Sequence, residues 1–284
     1  ILIKNGTLIT ASETFQADIL VEGEKISQIG RDLTHPNAEV IDAKGKLVLP
    51  GGVDPHVHLD LPMFNTVSAD DHYTGGKAAA FGGTTTVIDF VPQDDGTLQE
   101  NIERWRAKAD PKTSVDYAFH MNITRFDKEV AKEIFTLPDL GITSLKVFTA
   151  YNGRLRLSDG EIFRVMRVAR SAGILTMVHA ENGDVIDILV DEALAAGNKD
   201  PIFHAKTRPT WGAVEASLRA AALAAQAGDA PLYLVHMNAA GEVDQLAYAR
   251  EHGLKMMGEG CPQYLFFTED DLRREDGAKW VCSP

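Results

Sequence analysis

Only two cysteines, Cys261 and Cys282, occur in the 284 residues, too few for a disulfide framework to stand in for a hydrophobic core. No apolar stretch approaches the roughly 20 residues that span a bilayer. No run of lysines and arginines stands out, and the formal charge is −13, so neither a phosphate backbone nor an anionic membrane surface is an expected partner. The opening residues ILIKNGTLIT alternate apolar and polar positions without a basic segment leading into a long apolar one. They do not read as a secretion signal, and a reducing cytoplasm is the expected compartment. What is present is ordinary for a globular protein: 44% hydrophobic and 24% charged residues, enough to bury a large core.

Residues 1 to 50 hold short alternating runs punctuated by Asn5-Gly6, Gly23 and Gly45, which predicts hairpins and a small β unit. From Gly51 the texture changes to apolar runs alternating with helical patterns, the signature of parallel strands with right-handed crossovers. The spacing predicts strands at Gly52 to His58, Thr84 to Phe90, Val115 to Ile123, Ser144 to Phe148, Ile174 to His179, Pro231 to His236 and Leu254 to Gly258. Helices should start at Thr97-Leu98-Gln99-Glu100 and Ser158-Asp159-Gly160-Glu161, where hydroxyl and glutamate can satisfy orphaned backbone donors reciprocally. After Ser158, the residues Ile162, Val165, Met166 and Ala169 recur at helical spacing until Gly173 supplies a stop.

Seven strands, nearly all followed by a helix, point to an α/β fold of the TIM-like (β/α)8 barrel type with seven of eight strands present. The chain stops at Val281-Cys282-Ser283-Pro284 with neither a capping element nor a polar tail. The expectation is a longer polypeptide, with the barrel of residues 51–284 truncated before its eighth strand. A complete open sheet is the alternative, and it would leave apolar edges exposed.

The chemistry lies in the histidines. His56 and His58 are two apart in a predicted strand, and residues i and i+2 of a strand face the same side. His179 and His236 each close an apolar run. Side chains at the C-terminal ends of barrel strands converge over one mouth, so four imidazoles from three strands can meet around metal ions. His72, His204 and His252 fall in helical or loop segments and read as surface or structural residues. His120, near the end of the third strand, can face the pocket but has no sequence partner.

Lys146 lies inside the apolar strand SLKVF, where an unpaired ammonium costs several kcal/mol. Burial lowers a lysine pKa, and a neutral amine can add carbon dioxide to give a carbamate whose two oxygens bridge two cations. Pairing with a buried carboxylate such as Asp89, or snorkelling out of the barrel, explains the residue equally well from spacing alone.

The segments DPHVHLDLP, GGTTTVIDF, SLKVFTAY, ILTMVHAENG, LYLVHMNAAGE and VCSP occur in an order that resembles the hydantoinase and dihydropyrimidinase family of the amidohydrolase superfamily. The resemblance implies a metal-dependent barrel and a small β-sandwich formed by both chain termini, of which residues 1–50 would be the N-terminal part. It implies two zinc ions bridged by N-carboxylated Lys146 and a hydroxide, with His56 and His58 on one ion and His179 and His236 on the other. Tyr151 would donate to the oxyanion and Ser283 would contact the ring amide. A further aspartate ligand and a substrate-holding asparagine would follow Pro284. The implied reaction is ring opening of hydantoins or dihydropyrimidines to N-carbamoyl amino acids, by a cytoplasmic homotetramer acting on a small cyclic ureide.

Similar dihydroorotases carry an arginine two residues after the second histidine of HxH, where this sequence has Asp60. An anionic ring is therefore disfavoured. Leu61, Met63, Phe64 and Phe148 flank the expected pocket and suit an apolar exocyclic substituent, or else ordinary loop packing. Two rivals remain. One is an allantoinase. The other is a non-catalytic relative that acts by binding partners, which retention of all five ligand positions disfavours. The same ligands would also suit manganese, cobalt or nickel, so zinc rests on the resemblance.

Overall fold

The computed structural model describes residues 1–63 and 66–284. Five strands open the chain: β1 (Leu2–Ile9), β2 (Thr14–Glu22), β3 (Lys25–Gly30), β4 (Val40–Asp42) and β5 (Leu47–Val48). They form one sheet in the order β3-β2-β1-β4, with β5 also against β1, around a small core of Leu8, Ala17 and Ile19. Gly23, at φ +61, turns β2 into β3, as its freedom at positive φ allows. Asn5-Gly6 does not turn the chain as the hairpin reading expected. It lies within β1, where the register against β2 shifts between Ile3 and Gly6. Asn5 takes the left-handed conformation there (φ 62), and its N–H donates to Asp18 Oδ1 at 2.8 Å. An Asn-Gly pair suits a bulge as well as a turn because both need a residue at positive φ.

The larger unit begins with β6 (Gly52–Val57), a short ribbon of β7 (Pro62–Met63) and β8 (Thr66–Val67), and α1 (His72–Phe81). Strand and helix then alternate through β9 (Thr84–Val91), α2 (Leu98–Ala109), β10 (Asp116–Asn122), α3 (Lys128–Ile134), β11 (Ser144–Phe148) and α4 (Asp159–Ser171). The chain continues through β12 (Leu175–His179), α5 (Gly183–Ala195), α6 (Ile202–Lys206), α7 (Thr210–Gln226), β13 (Leu232–Leu234), α8 (Ala240–Glu251) and β14 (Met256–Gly258). Each of the seven expected strands is present. They lie in chain order, β6-β9-β10-β11-β12-β13-β14, and every neighbouring pair is parallel.

Two of the helices start where the sequence offers a reciprocal cap. Thr97 and Glu100 form a reciprocal capping box at α2, and Ser158 and Glu161 do the same at α4. The face of α4 carrying Ile162, Val165, Met166 and Ala169 is buried, and Gly173 reverses the chain at φ +73. Each large aliphatic side chain so buried contributes about 1.5–3 kcal/mol.

Strand parity divides the sheet into two faces. Leu145 and Val147 of β11, Val178 of β12, and Leu232 and Leu234 of β13 join the main core against the helices. Phe90, Met177 and Val235 form a separate inner cluster. The edge strands β6 and β14 are far apart in the strand order, yet Glu259, just past β14, hydrogen-bonds His56 on β6. The sheet is therefore curled, with helices outside, in the manner of a TIM-like barrel. Among the described residues, no helix is long and apolar enough to cross a membrane.

Candidate metal centre

Parity explains how β11 aims its unusual residue. With Leu145 and Val147 turned to the helices, Lys146 must turn inward. Its side chain is 3% exposed, with Nζ 4.4 Å from the Phe90 ring centroid and 5.1 Å from that of Phe148. Nζ donates to His56 Nε2 at 3.2 Å. Burial in this apolar surrounding pushes the ammonium down to about 7. Asp89 is not its partner, because Asp89 has the opposite parity to inward Phe90 and accepts from Trp105 Nε1 of α2 at 3.1 Å. Lys146 does not snorkel either, so both ordinary explanations of a buried lysine fail here.

The histidines gather around it. The His56 ring lies 5.2 Å from that of His58 and 5.4 Å from that of His236. His179 Nδ1 and His236 Nε2 are 3.0 Å apart. His179 follows inward Met177 by two residues, but β13 ends at Leu234 and His236 lies two residues further on. Continued alternation from inward Val235 would send His236 outward. It is redirected by a left-handed backbone, φ 40, a conformation rare outside glycine and often kept at functional sites. Burial holds the His236 imidazole well below its ordinary pKa, helped by neighbouring His179, which favours the neutral form that a metal ligand requires.

The donor set fits divalent metal. Two nitrogens bound to one tetrahedral zinc at about 2.0–2.1 Å would be about 3.3 Å apart. The His179–His236 separation of 3.0 Å is close to that edge length, and Lys146 Nζ lies 3.2 Å from His56 Nε2, where the oxygens of a carbamate on that amine would be among the imidazoles. Among the described residues no group of three or more histidine, cysteine, aspartate or glutamate side chains is itself placed to hold an ion. The inward donors stand in pairs, and one of the close pairs includes a lysine.

Carboxylates brace the imidazoles from behind, and sequence reasoning missed them. Glu181 Oε2 lies 2.6 Å from His179 Nε2. Burial raises the Glu181 pKa, but the bond from His179 and the charge of Arg208 outweigh it and the carboxyl is held below its ordinary value. Glu259 is bonded to His56 Nδ1. Such partners fix which ring nitrogen is free to bind. The available signal was a glutamate one or two residues past the end of a strand, at 181 and at 259.

The remaining expected residues divide. Tyr151, at φ 67, packs with its ring 4.9 Å from His179. Burial and the charge of Glu181 push its phenol up to about 12, despite a hydrogen bond with Ser283. Ser283 Oγ is also 2.7 Å from His204 Nε2. Phe148 lines the same place, 5.8 Å from His179 between ring centroids. Leu61 packs instead against the main core, with its N–H bonded to Ser68 Oγ at 3.0 Å. Met63 is exposed, and Phe64 lies outside the described residues. His120 faces inward but is engaged by Ser144 Oγ at 2.5 Å and the Pro55 carbonyl at 2.9 Å, a structural arrangement. His72 is buried beside Asp60, and His252 sits at the surface against the Tyr248 carbonyl. A cleft of about 340 Å³ opens beside Tyr151 and Glu181, walled by Ile186, Val190 and Arg208.

The amidohydrolase family pattern matches residues 39–95, the segment that carries His56 and His58. The D-hydantoinase of Geobacillus stearothermophilus is 48% identical over 100% of this chain and 61% of its own length. The crystal structure of dihydropyrimidinase from Brevibacillus agri NCHU1002 superposes with a TM-score of 0.97 at 49% identity, covering 100% of this chain and 62% of that one. The chain belongs to the hydantoinase family of the amidohydrolases. Dihydropyrimidinase 2 of Caenorhabditis briggsae is also similar, 38% identical over 100% of this chain and 56% of its own length. This hydantoinase-family chain thus spans about three fifths of the length of the relatives it matches. The family implies dependence on divalent metal, which agrees with the donor set.

Proposed function

We propose that the whole protein hydrolyses the cyclic amide of hydantoins or dihydropyrimidines, giving N-carbamoyl amino acids. The reading is carried by one observation: imidazoles and an amine from four different strands meet at the C-terminal rim of the curled sheet. Similarity to D-hydantoinases over the full length of this chain supports the substrate class.

His56, His58, His179 and His236 would hold two divalent ions, zinc by family likeness, with Lys146 joining them after N-carboxylation. When bound, such ions lower the pKa of water to about 7 and polarise a carbonyl. The chain's own groups do the rest. Lys146, held near neutrality by burial, is available as the free amine that carbon dioxide requires. Tyr151 keeps its proton because its phenol is pushed up to about 12, so its O–H can donate to an oxyanion developing at the ring carbonyl. Ser283, bonded to Tyr151, would contact the ring amide. Phe148 and the apolar wall of the cleft, Ile186 and Val190, exclude water and suit an apolar exocyclic group. Phe64 completes the proposed substrate contacts, residues 1–50 and 51–284 the proposed domains, and a homotetramer in the cytoplasm the proposed assembly.

Elemental analysis of the full-length protein, paired with ring opening of dihydrouracil and of a 5-aryl hydantoin, tests the reading. Two metal ions per chain and turnover of either ring are expected. Two ions with no turnover of either would overturn the substrate class, and no metal at all would overturn the centre.

A further inference from the structure

Glu259 follows β14 directly, and its carboxylate is shared among three groups. Its Oε1 is bonded to His56 Nδ1 and also accepts the backbone N–H of His236 at 3.2 Å. Its Oε2 accepts the Tyr233 hydroxyl at 3.0 Å. Among the described residues no ladder joins β6 to β14, so this side chain links the two edge strands at the rim that carries the histidines.

The chemistry of the carboxylate makes the link directional. An ionised carboxylate only accepts, so Nδ1 of His56 must carry the proton and its lone pair must lie on Nε2. That nitrogen faces Lys146, at 3.2 Å. The same oxygen satisfies the backbone of His236 at φ 40, where the chain departs from strand geometry and the N–H has left the ladder. Two imidazoles, His56 on edge strand β6 and His236 just past β13, are thereby oriented by one group.

We propose that Glu259 is a positioning residue, which sets the ring tautomer of His56 and the backbone turn of His236 together so that both present lone pairs to the same centre. The proposal rests on the reading of that centre as a metal site.

The test uses full-length protein labelled with ¹⁵N-histidine. Ring tautomers are read by NMR in the metal-free state, with His56 assigned by the signal lost in His56→Gln, and zinc affinity is read by competition with a chelating indicator. Wild type should show His56 as the Nδ1–H tautomer. Glu259→Ala should shift it toward Nε2–H and weaken zinc binding about 10–100-fold. Glu259→Gln keeps one acceptor oxygen and should retain more of both. A brace with no positioning role would lose thermal stability in Glu259→Ala while tautomer and zinc affinity stayed as in wild type, and that result overturns the proposal. Glu259→Met, of similar volume without an acceptor, is measured in the same way if the alanine variant does not fold. Should neither fold, the wild-type spectrum decides: His56 found as the Nε2–H tautomer overturns it as well. Absence of zinc binding by wild type would instead defeat the metal reading, while the tautomer measurement would still judge Glu259.

Discussion

His179 and His236 meet with Nδ1 and Nε2 3.0 Å apart, although the register of their strands sets them out of step. Val178 of β12 pairs with Leu234 of β13, which puts His179 level with Val235 and His236 one residue further along. Strand geometry alone would turn the two rings to opposite faces. The left-handed backbone at His236 brings them to the same side, with Glu181 behind one ring and Glu259 at the backbone of the other.

Replacement of Lys146 by alanine is expected to remove metal from the full-length protein, because the buried amine is the group proposed to join the two ions. Added short carboxylic acids should restore part of the content. Elemental analysis decides: an unchanged metal content in Lys146→Ala removes the carbamate from the mechanism.

Tyr151→Phe deletes one hydroxyl from a ring that otherwise keeps its packing beside His179. Loss of an oxyanion donor typically lowers kcat by about 10²–10³. Steady-state kinetics should show that loss with metal content and KM little changed. Wild-type kcat in this variant would mean that the phenol plays no part in the chemistry.

Gly183 opens α5 where the helix comes closest to the loop carrying Tyr151. A Cβ there would meet Ala150 Cα at 2.8 Å and the Thr149 carbonyl at 3.2 Å, both backbone atoms that cannot swing aside. Gly183→Ala should lower stability by about 1–3 kcal/mol, as overpacking does, and reduce turnover by shifting Tyr151. Urea titration and kinetics check the two effects, and an unperturbed urea midpoint would show that the loop yields freely.

His72 provides a pH dependence of stability away from the metal centre. Its Nδ1 is 3.0 Å from Asp60 Oδ2, and its Nε2 is 3.4 Å from Asp89 Oδ2, near enough for charge attraction though not aligned as a hydrogen bond. Burial alone would lower its pKa, but Asp89 and Asp60 together raise it. The folded state then holds the proton more tightly than the unfolded state, whose histidine titrates at about 6.5. The stabilisation is complete below that value and is lost as pH rises through the raised folded pKa. Urea midpoints should therefore fall for wild type above pH about 6.5, and the gap to His72→Gln should narrow. A gap independent of pH would contradict the assignment.

Much of the barrel could be read directly because its signals are local. The seven apolar runs, the capping boxes at Thr97 and Ser158, and the apolar face of α4 each depend on residues within a few positions of one another. The Asn5-Gly6 dipeptide misled for the same reason: a bulge and a hairpin ask for the same backbone freedom, and only pairing with β2 distinguishes them. His120 and Leu61 were ambiguous because the partners that occupy them, Ser144 with Pro55 and the main core, are distant in sequence.

The amino-acid order by itself determined the alternation of strands and helices, the location of His56, His58, His179 and His236 at or just beyond strand ends, and the anomaly of a lysine in an apolar strand. Those follow from short-range sterics and hydrophobic periodicity. Only the tertiary structure decided that Lys146 faces His56 rather than Asp89, that His236 turns back toward His179, and that Glu181 and Glu259 stand behind the imidazoles. These depend on the curl of the sheet, which brings residue 56 to residue 259 across 203 positions of chain, and no local preference encodes a contact at that separation.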